Sequence, residues 1–137
     1  MTAGLYEDVV LEHAKRPRNR GRLAHATHAA AEDNPLCGDT VRVEVVMEEG
    51  RVQAAGFEGH ACAIVTASAS LMTEYVRGRT RAEAQALADG MDRLCAGPTD
   101  REAELGELVV FAGVRRYPAR VRCATLPWHA LRRALAP

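Results

Sequence analysis

Between Val41 and Arg77 the apolar period of the chain changes, and this change limits the possible folds more than any other feature. Val41, Val43 and Val45 alternate with Arg42 and Glu44, the pattern of a strand with one buried face. Glu48-Glu49-Gly50 turns the chain and Arg51 to Glu58 returns it, which predicts a β-hairpin. Beyond Gly59 the alternation gives way to small and apolar residues from Ala61 to Arg77, read as a helix that ends at Gly78. Upstream, Tyr6, Val9, Val10 and His13 form the stripe of a helix from Thr2 to Lys15, and Ala24 to Ala31 is the candidate third strand. Downstream, Thr80-Arg81-Ala82-Glu83 is a capping box opening a helix whose inward face is Leu87, Met91 and Leu94, ended by Gly97-Pro98. A further helix is expected from Asp100 to about Ala112, and a last one carries Val121, Ala124, Trp128, Leu131 and Leu135. The order α-β-β-β-α-α-α-α predicts an α+β fold: a small three-stranded antiparallel sheet with helices packed on one face.

Pro127 interrupts the last stripe because it brings no N–H to the carbonyl of Cys123. The expectation is a helix kinked at Cys123 or beginning near Thr125, either of which puts that cysteine at a helix entrance. At 137 residues the chain is the size of one domain, spanning 1–137. Its 18 basic and 18 acidic residues cancel, so no overall field favours a nucleic acid or an anionic membrane as partner. No apolar stretch approaches the roughly 18 residues of a membrane span, and Glu7 and Asp8 replace the basic start of a leader. A cytoplasmic protein is expected. In a reducing compartment the four cysteines are candidates for metal ligation or thiol chemistry before disulfides.

Three of them sit in special contexts. Cys37 lies in Asn34-Pro35-Leu36-Cys37-Gly38-Asp39, where Pro35 and Gly38 force an irregular backbone and leave a thiol two residues from a carboxylate. Cys62 falls at a helix start, where the positive end of the dipole favours a thiolate. Cys123 shares that expected setting, with Arg120 and Arg122 adding positive charge. Scattered in this way, three thiolates converge only in the folded protein and make a more open site than paired Cys-x-x-Cys knuckles. The fourth tetrahedral position falls to Asp39 or His60, with Asp39 preferred for its closeness to Cys37. Three thiolates and a carboxylate carry four negative charges, which a divalent metal halves, so nearby arginines are electrostatically useful.

The remaining candidates carry less. Cys95 follows Leu94 on an apolar helix side and reads as packing. His13 is a core or boundary residue, and His25, His28 and His129 are surface groups. Arg16 to Arg22 is either a solvated loop or a docking surface. A zinc deaminase needs His-x-Glu and Pro-Cys-x-x-Cys, and His60-Ala61-Cys62 supplies neither. A cysteine hydrolase built on Cys62 and His60 leaves Cys37 and Cys123 without roles.

At these residues the chain resembles the iron-sulfur cluster assembly family of IscU, SufU and the N-terminal domain of NifU. The resemblance rests on Arg16-Pro17-Arg18-Asn19-Arg20-Gly21, on Asn34 to Asp39, on the Cys62 block through Ala67-Ser68-Ala69-Ser70-Leu71-Met72, and on Cys123-Ala124-Thr125-Leu126. It implies that Cys37, Cys62 and Cys123 are the functional cysteines and Asp39 the carboxylate of the site. The length between Cys62 and Cys123, Arg122 before the third cysteine and Trp128 after it resemble the SufU branch. That branch implies zinc on Cys37, Asp39, Cys62 and Cys123, a cysteine desulfurase as partner and Cys123 as persulfide acceptor. The IscU branch implies a scaffold on which iron and sulfur build a labile [2Fe-2S] cluster for apo iron-sulfur proteins or a downstream assembly complex. Tyr117-Pro118-Ala119-Arg120-Val121 replaces the Leu-Pro-Pro-Val-Lys stretch that IscU offers an Hsp70-type chaperone, which places that partnership in doubt. A structural zinc-binding module that only docks a partner is the alternative of another class.

Overall fold

A computed structural model describes residues 2–35, 38–98 and 102–136. The alternating valines form the middle of the sheet. Strand β2 (Asp39–Glu48) lies between β1 (His28–Asn34) and β3 (Arg51–Glu58), antiparallel to both. Val43 stands opposite Ala30 and Phe57, and Val41, Val43 and Val45 are buried on one face. The first strand begins at His28, later than the expected Ala24 to Ala31. It has no β-branched residue, so register fixes it: Asn34 pairs with Asp39, and the pairing runs back to His28 opposite Val45.

Helices α1 (Thr2–Lys15), α2 (Ala63–Val76), α3 (Arg81–Ala96) and α4 (Pro118–Leu135) complete the architecture with a 3₁₀ segment, Glu102–Arg116. Helix α4 packs on β1 and β2, α2 packs on β3, and α1 and α3 lie against α2 and α4 respectively. The expected α+β arrangement is present. Trp128, Phe111, Leu71, Met72, Leu108 and Leu131 fill the core between sheet and helices. The Thr80 capping box closes from both sides, with Thr80 Oγ1 accepting from the Glu83 N–H at 3.1 Å and Glu83 Oε1 accepting from the Thr80 N–H at 2.9 Å.

Residues 19–23 cover the opposite face of the sheet. A Cβ on Gly56 would lie 3.1 Å from the Gly21 carbonyl oxygen, and the Gly21 N–H donates to the Phe57 carbonyl at 2.7 Å. Glu44, buried on this face, accepts from the Leu23 N–H at 2.8 Å and pairs with Arg22 and Arg42. The Arg16 to Arg22 segment is therefore stitched down. Arg18 N–H donates to Ser70 Oγ at 2.8 Å and Asn19 Nδ2 to Thr73 Oγ1 at 3.0 Å.

Two expectations are corrected. The helix expected from Asp100 to Ala112 is 3₁₀ over Glu102–Arg116, with a break at Gly106, whose φ is 55°; Asp100 itself lies outside the described residues. Its buried residues Leu105, Leu108, Phe111 and Val114 recur every three positions, the period of a 3₁₀ turn. Helix α4 does not begin near Thr125. It starts with Pro118 at its first position, where a missing N–H is harmless, and runs through Pro127 to Leu135. Cys123 is thus in the second turn and not at a helix entrance. Among the described residues no helix is long and apolar enough to cross a membrane.

Candidate metal centre

The centre is built where the start of β2 meets the N-terminal end of α2 and the second turn of α4. Asp39 shares the inward face of β2 with Val41, Val43 and Val45, so its carboxylate enters at the border of the core and is buried. Its Oδ1 accepts the N–H of Cys62 at 2.9 Å. Cys62 is the N-cap residue of α2 and its thiol makes no capping bond, which leaves the sulfur available to another partner. Cys123 lies on the buried side of α4, with its sulfur 3.6 Å from Asp39 Oδ2. One oxygen of Asp39 and the two sulfurs all lie within 4.8 Å of one another. Around a tetrahedral zinc with the usual bond lengths, donor atoms are about 3.3–3.8 Å apart. Small side-chain rotations close that difference, and two thiols with one carboxylate are a donor set suited to zinc.

Backbone contacts hold the three donors together. The Thr40 N–H donates to the His60 carbonyl at 2.7 Å, which ties the exit of β3 to the start of β2. Gly59 permits that approach: its φ is 144°, and a Cβ there would sit 2.1 Å from the Thr40 carbonyl oxygen. The His60 side chain is exposed and lines a groove of about 610 Å³ with Arg20, Thr40 and Arg42, outside the three-donor group. Between Asp39 and His60 as candidate donors, the described geometry gathers Asp39. Cys37 lies outside the described residues. The Gly38 N–H next to it donates to the Asn34 carbonyl at 2.9 Å, closing the loop between β1 and β2.

The other sequence candidates separate clearly. Cys95 is buried in the core, and burial, helped by the charge of Asp92, pushes its thiol up to about 12, so it stays protonated and packs. His13 is buried with Nδ1 2.7 Å from Ser70 Oγ. His129 pairs with Asp92 at 3.0 Å at the helix surface. Burial pushes the Asp92 carboxyl up, but hydrogen bonds from His129 and Arg132 outweigh it and hold the group below the usual carboxylate range. Arg120 and Arg122 are exposed. Sequence reasoning missed Ser68, whose hydroxyl joins α2 to α4 beside Cys123; its position in an apolar helical run was the available signal.

Residues 5–124 match the family model of the NifU-like N terminal domain. The chain is 40% identical over 132 residues to the iron-sulfur cluster assembly scaffold protein IscU of Streptococcus pyogenes serotype M1, covering 96% of this chain and 82% of that protein. It is 36% identical over 133 residues to the zinc-dependent sulfurtransferase SufU of Bacillus subtilis strain 168, covering 96% and 90%. A crystal structure described as an iron-sulfur cluster assembly scaffold for the SUF system of Fervidobacterium islandicum AW-1 superposes with a TM-score of 0.90 at 31% identity, covering 94% of this chain and 95% of that one. A family match over most of the length, with these relatives and this fold, shows that the chain belongs to the family of the NifU-like N terminal domain.

Proposed function

We propose that the protein serves iron-sulfur cluster assembly as a zinc-holding acceptor of persulfide sulfur from a cysteine desulfurase. The observation that carries this reading is the convergence of Asp39, Cys62 and Cys123, from one strand and two helices, with their donor atoms within 4.8 Å of one another. The zinc-dependent sulfurtransferase among its relatives supports it. In this reading Cys37 supplies the fourth donor and 1–137 acts as one domain. Zinc, when bound, keeps the thiols deprotonated and masks them between transfers. Asp39 Oδ1 is occupied by the Cys62 amide, so Oδ2 is the oxygen that ligates.

For transfer, the Cys123 thiolate attacks the outer sulfur of the desulfurase persulfide. That sulfur–sulfur bond breaks, the desulfurase leaves as a thiolate, and the outer sulfur with its proton remains on Cys123. Cys123 is only 1% exposed. The step therefore requires the chain over it to open when the desulfurase docks, and Arg120 and Arg122, exposed and within one turn of Cys123 in sequence, offer positive charge to such a partner.

A second reading has its own support in the scaffold protein of Streptococcus pyogenes: the same thiols hold a labile [2Fe-2S] cluster as cargo for apo iron-sulfur proteins or a downstream assembly complex. Elemental analysis of protein purified without added metal, paired with a desulfurase assay, separates the two. One zinc per chain and strong stimulation without a cluster is the expected result. A stable [2Fe-2S] spectrum after anaerobic reconstitution, with no stimulation, selects the scaffold. Cys123→Ser is expected to stay folded and lose persulfide acceptance, at least tenfold in rate.

A further inference from the structure

We propose that Ser68 is a positioning residue of the metal centre, setting the distance between the thiols of Cys62 and Cys123 through one side-chain bridge. The inference rests on the reading that Asp39, Cys62 and Cys123 hold a metal. Ser68 lies six residues beyond Cys62 in α2 and is fully buried. Its hydroxyl oxygen is 2.6 Å from the Ala124 carbonyl oxygen and 3.1 Å from Trp128 Nε1. The indole N–H can only donate, so Ser68 accepts from it, and the one hydroxyl proton goes to Ala124. The direction of both bonds is thereby settled.

Ala124 directly follows Cys123. Within α4 the carbonyl of Cys123 receives no N–H from position 127, because that residue is proline. The turn carrying the thiol is held less firmly by its own helix than an ordinary turn, and the next carbonyl is held by a side chain from α2. Cys62 caps the start of the same α2. The two sulfurs therefore belong to helices cross-linked one residue from the second thiol, by a bridge whose Ser68 and Trp128 side chains are both fully buried. A side chain that fixes a ligand-bearing helix without touching the metal acts as outer-shell partners do, and losing one weakens metal binding by about 10–100-fold.

The test compares wild type, Ser68→Ala and Ser68→Thr by zinc affinity in chelator competition and by the thiolate-to-metal absorption of the Co²⁺-loaded protein. Folded Ser68→Ala is expected to bind zinc at least about tenfold more weakly with an altered Co²⁺ band. Ser68→Thr, which keeps the hydroxyl, is expected to recover most of both. A merely structural role would lower the melting temperature and leave the Co²⁺ band unchanged; folded Ser68→Ala with wild-type affinity and band overturns the proposal. Failure of wild type itself to bind either ion through thiolates overturns the underlying reading instead. Wild type also offers a measurement that needs no folded variant, since Trp128 is the only tryptophan. Zinc is expected to change its emission through the bridge, and emission that stays flat while zinc binds also overturns the proposal.

Discussion

Gly59 decides the site as much as any donor does. The backbone there is in a region that only glycine occupies without strain, and the Thr40 carbonyl occupies the place a Cβ would need. Gly59→Ala must push the corner off β2, and Cys62, three residues on, moves with it and away from Asp39. The expected cost is about 1–3 kcal/mol of stability, together with weaker zinc binding. Thermal melting and chelator competition check this; a variant that melts lower yet binds like wild type would show that the corner does not set the Cys62–Asp39 spacing. Asp39 has the complementary role. One of its oxygens fixes the entrance of α2 through the Cys62 amide while the other faces Cys123. Its place on the inward parity of β2 was legible from the alternation of the valines, whereas the Cys62 amide as its partner was not.

At the scale of elements, α1, the segment after it and α2 are joined by Ser70, whose Oγ meets His13 at 2.7 Å and accepts the Arg18 N–H. Burial, and next the positive charge of Arg18, hold the His13 pKa below its ordinary 6.5. The unfolded chain therefore takes up the proton first as pH falls. Stability contributed here is flat above the ordinary value and declines as pH drops below it toward the folded value. Wild type should lose melting temperature between about pH 8 and about pH 5.5, and His13→Gln should lose less over the same interval; equal losses would remove His13 from the account. The hairpin, the capping box and the helical stripe of α4 could be read from sequence because each is set by local chemistry: alternation, a reciprocal cap, a period near 3.6. Three features could not. The start of β1 is fixed by pairing with β2, since its own residues have weak strand preference. The 3₁₀ type of the Glu102–Arg116 helix is fixed by packing: Leu105, Leu108, Phe111 and Val114 are buried at every third position, a spacing that over so short a stretch also fits an α-helical face. The start of α4 at Pro118 could not be read because Pro127 signals locally a kink at Cys123 or a start near Thr125, whereas the proline is buried and the helix runs past it.

At the scale of the whole molecule, what matters is whether the fold needs its metal. Small zinc modules do, because they have too little apolar surface to bury without it. Here the sheet is covered on one face by α2 and α4 and on the other by residues 19–23, and Trp128, Phe111, Leu71, Met72 and Leu131 are fully buried among protein neighbours. The donors sit at the border of that core, on elements whose positions are set by Val41, Val43 and Val45, by Ser68 and by the Gly59 corner. Removing metal with a chelator should therefore leave far-UV circular dichroism unchanged and a single cooperative melt. Binding still favours the native state: free zinc at a hundred times its dissociation constant adds about 2.7 kcal/mol, worth about 10 °C in a chain of this size. The melt is thus expected to fall by that order on chelation and return on adding zinc. A metal-free chain with no cooperative melt would instead make the ion a structural support, and a centre of that kind could not release a thiol to accept sulfur without unfolding the protein that carries it.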